Sequence, residues 1–104
     1  YKLDLPHLTR RLGVYYFNGQ KETYYNLSMT RVVRNMYELY GYSEEEYPYW
    51  VRPDGVKMFG RYVIIAANLT EYRRGDIVLT SMGEGIVCDT GEMTKGWIDI
   101  AVDW

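Results

Sequence analysis

The chain has 104 residues, 47% hydrophobic and 25% charged, which fits a single globular domain over 1–104 rather than a disordered tail. Its formal net charge of -2 lacks the basic footprint of a general nucleic-acid binder, and no apolar run reaches the roughly 18–20 residues of a membrane span. The single cysteine, Cys88, excludes an intramolecular disulfide and a thiolate metal cage. The chain begins at Tyr1 without a methionine, so a lost leader stays open. Twelve tyrosines supply flat apolar faces with hydroxyls, suited to a small core or to stacking on sugars.

Residues 1–11 show no period, and Pro6 interrupts them. Leu12–Asn18 is rich in β-branched and aromatic residues and predicts a strand. Asn18-Gly19 is a hairpin turn signal, and Lys21–Tyr25 is the returning strand. Met29, Val32, Val33, Met36, Leu39 and Tyr40 then recur at helical spacing. They predict one amphipathic helix at about 28–40, with Asn26 or Ser28 as N-cap and Gly41 as the stop. Residues 42–54 carry Glu44, Glu45, Glu46 and two prolines and predict a loop. Adjacent glutamates point in different directions and build no metal cage. Arg61–Ala67 is a continuous apolar run, which predicts a strand covered on both faces. Ile77–Thr80, Glu84–Asp89 and Trp97–Val102 complete six expected strands. Short strands, frequent glycine turns and one helix predict a mainly β fold, a small β-barrel.

Three aspartates stand in the final segment. By alternation, Ile98, Ile100 and Val102 point one way and Asp99 the other. Ile86 and Cys88 are expected on the core side, with Asp89 opposite. Pairing these strands as a hairpin, with Cys88 against Ile98, makes Asp89 and Asp99 diagonal neighbours on one face, roughly 7–8 Å apart. Paired carboxylates raise the pKa of one member, which suits an acid that protonates a glycosidic oxygen. Turn capping is the competing reading, since Asp89-Thr90-Gly91 is a good turn sequence. His7 reads as a surface residue and Cys88 as core, so neither supports a nucleophile triad.

The stretch from Gly60 to Val102 resembles the three-aspartate (3D) domain of membrane-bound lytic transglycosylase A-like and stationary-phase-survival-like proteins. The resemblance rests on Ala66-Ala67-Asn68-Leu69, Gly75-Asp76, Cys88-Asp89-Thr90-Gly91, Lys95-Gly96 and Ile98-Asp99-Ile100. It implies a six-stranded double-psi β-barrel and a peptidoglycan lytic transglycosylase that cleaves the MurNAc-β-1,4-GlcNAc bond and forms 1,6-anhydroMurNAc. It implies Asp99 as the catalytic acid/base and Asp89 as its support, with no metal or organic cofactor. Asn68, Thr90, Gly91 and Lys95 are the expected substrate contacts, and Tyr24, Tyr25 and Trp97 candidates for stacking on sugar faces. The first family aspartate falls on Asn68 and the following proline on Leu69. A non-catalytic glycan-binding or wall-targeting module is therefore the competing expectation. The expected partner is a peptidoglycan strand, with an extracellular or wall-associated location; dimerisation by strand exchange stays open.

Overall fold

The computed structural model describes residues 5–91 and 96–104. Its elements run β1 (Tyr15–Phe17), β2 (Gln20–Tyr25), α1 (Thr30–Glu38), β3 (Tyr49–Val51), β4 (Lys57–Phe59), β5 (Tyr62–Ala67), β6 (Ile77–Thr80), β7 (Gly83–Thr90) and β8 (Trp97–Ala101). The fold is mainly β with one helix, as expected. The described strands number eight rather than six, and their sheet is not closed into a barrel. The two extra strands, β3 and β4, form an antiparallel pair inside and just after the expected loop. All three β3 residues are exposed, so this strand carries no alternating pattern to betray it. Among the described residues no helix is long and apolar enough to cross a membrane.

β1 and β2 form the expected hairpin, with Phe17 opposite Gln20. Asn18 and Gly19 both take positive φ, +51° and +75°, the conformation of the two-residue turn that matches strand twist. This hairpin does not close on its sequence neighbours. β2 runs parallel to β8, the last strand, with Thr23 opposite Asp99. β8 in turn runs antiparallel to β5, with Ala66 opposite Asp99.

β5 is the hub. It pairs with β4 through its first half, with β8 through its second half and with β7 along its other edge. Five of its six residues are buried, because side chains on both faces meet a core. One face carries Val63, Ile65 and Ala67, packed with Val87, Ile98, Ile100, Val102 and Leu8. Leu8 is fully buried, so the irregular N-terminal segment covers this face. The other face carries Ile64, packed with Ile86, Cys88, Ala101 and Phe59 and with Met29, Val33 and Met36 of the helix.

α1 is shorter than the sequence period suggests. Leu39 and Tyr40 lie outside it and are 68% and 44% exposed. The N-cap position is Met29, without a side-chain cap. Ser28 Oγ accepts the Thr30 N–H only at 3.4 Å. Asn26 instead holds Lys57 and the Trp104 carbonyl. Gly41, at φ +76°, turns the chain so that the Tyr42 N–H reaches the Met36 carbonyl at 3.1 Å.

Candidate functional site

The two aspartates meet by a different route from the one expected. β7 and β8 are not a hairpin. β5 lies between them, and both Asp89 and Asp99 sit opposite the same residue, Ala66. Two strand spacings of about 4.8 Å separate their backbones. Strict alternation from Cys88 would turn Asp89 away from the helix. A register shift between Ile65 and Ala66 prevents this: Val87 pairs with Ile65 and Asp89 with Ala66, leaving Cys88 as an extra residue in β7. Such a bulge re-aims the residues that follow it. Asp89 therefore joins Asp99 on the helix-side face, above a small alanine.

β2 supplies the neighbours. Thr23 and Tyr25 point to this same face, one residue apart in alternation. Thr23 Oγ1 donates to Asp99 Oδ1 at 2.9 Å. The Tyr25 hydroxyl donates to Asp89 Oδ2 at 3.2 Å and also lies 3.7 Å from Met29 Sδ. Asp89 Oδ1 accepts the Thr90 N–H at 2.8 Å.

Electrostatics follow from this packing. Burial pushes the Asp99 carboxyl above the usual carboxylate range, and the charge of Asp89 adds to the rise against the opposing Thr23 hydrogen bond. Burial, the Asp89 charge and the bond to Asp89 together raise the Tyr25 phenol, so it remains a donor. Burial, followed by the Asp89 charge, pushes the Cys88 thiol up to about 12. Cys88 is thus an inert core residue at neutral pH, in line with its apolar position.

A groove of about 430 Å³ opens beside Asp89, between α1 and the end of β7. Asp89, Thr90, Arg31, Asn35 and Arg74 line it. Asp99 lies two strands further on, across Ala66. In the same row of that face Lys21 pairs with Trp97, and the Lys21 ammonium sits 3.7 Å from the ring centroid.

The remaining expected residues divide. Tyr25 and Thr90 belong to the site; Gly91 follows directly and is exposed. Tyr24 does not belong. It points to the opposite face, stacks edge-on against Trp104 with centroids 4.9 Å apart, and bonds the Arg10 carbonyl. Asn68 ends β5 as a turn former: its Oδ1 accepts the Thr70 N–H at 2.8 Å and the Thr70 hydroxyl at 2.7 Å. Lys95 lies outside the described residues. Thr23, Arg31, Asn35 and Arg74 are additions to the residues the sequence points to. The alternation of Thr23 with Tyr25 was visible, but its pairing with a strand some seventy-five residues away was not. In comparisons with known proteins, no family model matches the sequence, and no curated protein or solved structure matches the chain.

Proposed function

We propose that this protein cleaves a glycosidic bond of peptidoglycan as a lytic transglycosylase, with Asp99 as the acid and then the base. The observation that carries this reading is the pair of carboxylates opposite one alanine, Asp89 lining an open groove and Asp99 held above the ordinary carboxylate range. A protonated carboxyl near neutrality is what leaving-oxygen protonation needs.

Asp99 donates its proton to the glycosidic oxygen as the C1–O bond breaks and positive charge develops at the sugar ring. The resulting Asp99 carboxylate then takes the proton of the C6 hydroxyl of the same MurNAc. That oxygen bonds to C1 and closes the 1,6-anhydro ring. The nucleophile is intramolecular, so no activated water is required. Asp89, held by Tyr25, stabilises the oxocarbenium-like charge and keeps the Asp99 proton in place. Arg31, Asn35 and Arg74 contact the glycan along the groove, and Trp97 offers a ring face.

Position 68 supports activity despite the missing aspartate. The turn uses an acceptor oxygen there, and asparagine supplies one as well as aspartate does. The test is incubation with purified peptidoglycan, followed by mass analysis of soluble fragments. Anhydro-muropeptides that vanish in Asp99→Asn are expected. Reducing-end products would indicate a hydrolase, and retention on wall material without release would indicate a binding module.

A further inference from the structure

The opposite flank of α1 borders a second cleft, of about 560 Å³, within the size range of small-ligand sites. It meets the groove beside Asp89 only along Ser28 and Met29. Its lining is graded along the helix. Lys57, Ser28 and Thr30 stand at the N-terminal end, Arg34 in the middle, and Glu38 and Glu44 at the C-terminal end, over a floor that includes Val33 and Tyr37.

Lys57 is the unusual member. It is only 7% exposed, and its ammonium is held by the Leu27 carbonyl at 2.7 Å and Asn26 Oδ1 at 3.3 Å. Among the described residues no carboxylate pairs with it; the ion pair found is Arg52–Asp54. These two acceptors leave one of its three N–H groups for a further oxygen, and a carboxylate is the acceptor that also matches its charge.

The helix points the same way. Its first turn holds no acidic residue and its last turn no basic one. Both ends of its dipole are therefore left without a matching charge of its own. From Thr30 to Glu38 the axis rises about 12 Å, the span of three to four extended residues.

We infer that this cleft binds a short peptide of about four residues, its C-terminal carboxylate at Lys57, Ser28 and Thr30 and its amino group at Glu38 and Glu44. This ligand supplies a negative charge where the cleft holds a buried cation and a positive charge where it holds two carboxylates. Met29, Val33 and Tyr37 take its small side chains. The site is separate from Asp99 and does not depend on bond cleavage there.

The probe is tetra-alanine in three forms: free, C-amidated and N-acetylated, titrated into the intact chain by calorimetry and followed by backbone amide shifts. The free peptide is expected to bind and to shift the amides of 28–34 and 57. C-amidation should weaken binding about tenfold or more, the scale of one charge-assisted hydrogen bond, and N-acetylation should weaken it less. Lys57→Met should reproduce the loss seen on amidation. Glu38→Gln with Glu44→Gln, both exposed positions, should remove the preference for a free amino group. Asp99→Asn should leave binding unchanged, which separates this site from the cleavage reaction. Equal binding of the free and amidated peptides overturns the inference, as does no binding of tetra-alanine at about 10 mM. The comparison of peptides on the unmodified protein holds even where Lys57→Met fails to fold.

Discussion

Among the described residues two carboxyl groups are pushed above the ordinary range by burial, Glu22 on one face of β2–β8 and Asp99 on the other. Glu22 is 1% exposed, and both of its oxygens are occupied: Oε2 accepts the Ser81 N–H at 2.8 Å and Oε1 the Ser81 hydroxyl at 2.5 Å. The same hydroxyl accepts the Leu8 N–H at 3.0 Å. Glu22 thus ties the N-terminal segment, the β6–β7 turn and β2 into one structure. Asp99 has one hydrogen-bonded oxygen, a second carboxylate nearby and a groove beside that partner. Burial alone raises a carboxyl; free acceptor capacity and access decide whether the proton is available for chemistry.

The comparison breaks most sharply at Asp99. Asp99→Asn should reduce anhydro-muropeptide release by about 10²–10⁴-fold, the usual scale of general acid catalysis. Its fold should persist, since asparagine keeps the acceptor for Thr23 and removes a charge that is costly to bury. Glu22→Ala should do the reverse. It leaves the Ser81 N–H unsatisfied and opens a cavity in the aliphatic core, for a loss of about 2–4 kcal/mol in chemical denaturation. Activity per folded molecule should stay unchanged. Loss of activity beyond the unfolded fraction would mean that Glu22 reaches the site.

Tyr25→Phe removes the donor to Asp89. An approximately tenfold fall in turnover is expected, with stability lower by about 1 kcal/mol. Its pH profile should move as well, because an unanchored Asp89 no longer fixes the Asp99 proton. The smallest effect belongs to Asn68→Asp, which keeps the Oδ1 acceptor of the turn. Stability should stay within about 0.5 kcal/mol and activity should not fall.

The pH dependence has a definite sign. Both carboxyls are raised in the folded chain, so each binds its proton more tightly there than in the unfolded chain. Their stabilisation is fully present below about pH 4 and is lost as pH rises through the raised folded values. The denaturation midpoint should fall across that window, and Glu22→Gln and Asp99→Asn should each flatten part of the slope. Cleavage should fall over the same interval, since only the protonated Asp99 donates.

The sequence carried what depends on local pattern. Ile98, Ile100 and Val102 gave the facing of β8 correctly, Asn18-Gly19 gave the first turn, and the unbroken run in β5 gave a strand buried on both sides. It did not carry what depends on which distant strand inserts where. Chain order suggests that β7 and β8 pair, but β5 intercalates between them. Two errors then cancelled at Asp89, because the hairpin was absent and a bulge at Cys88 supplied the turn of face that the hairpin had been asked to give. Lys57 was not legible, because a lone lysine in a sequence reads as a surface residue and nothing local reports that Asn26 and Leu27 hold its ammonium.

The parallel pairing of β2 with β8 also constrains the order of events in folding. The β1–β2 hairpin finds its strand partner only once β8, more than seventy residues further along, is available. Closing that contact fixes a loop of some seventy residues before any reward arrives, which places this small molecule with slow folders of non-local topology. During synthesis, the segment from β3 to β7 has to wait with the flank of β5 bare until the last strand emerges. That interval is when the chain is most exposed to mispairing.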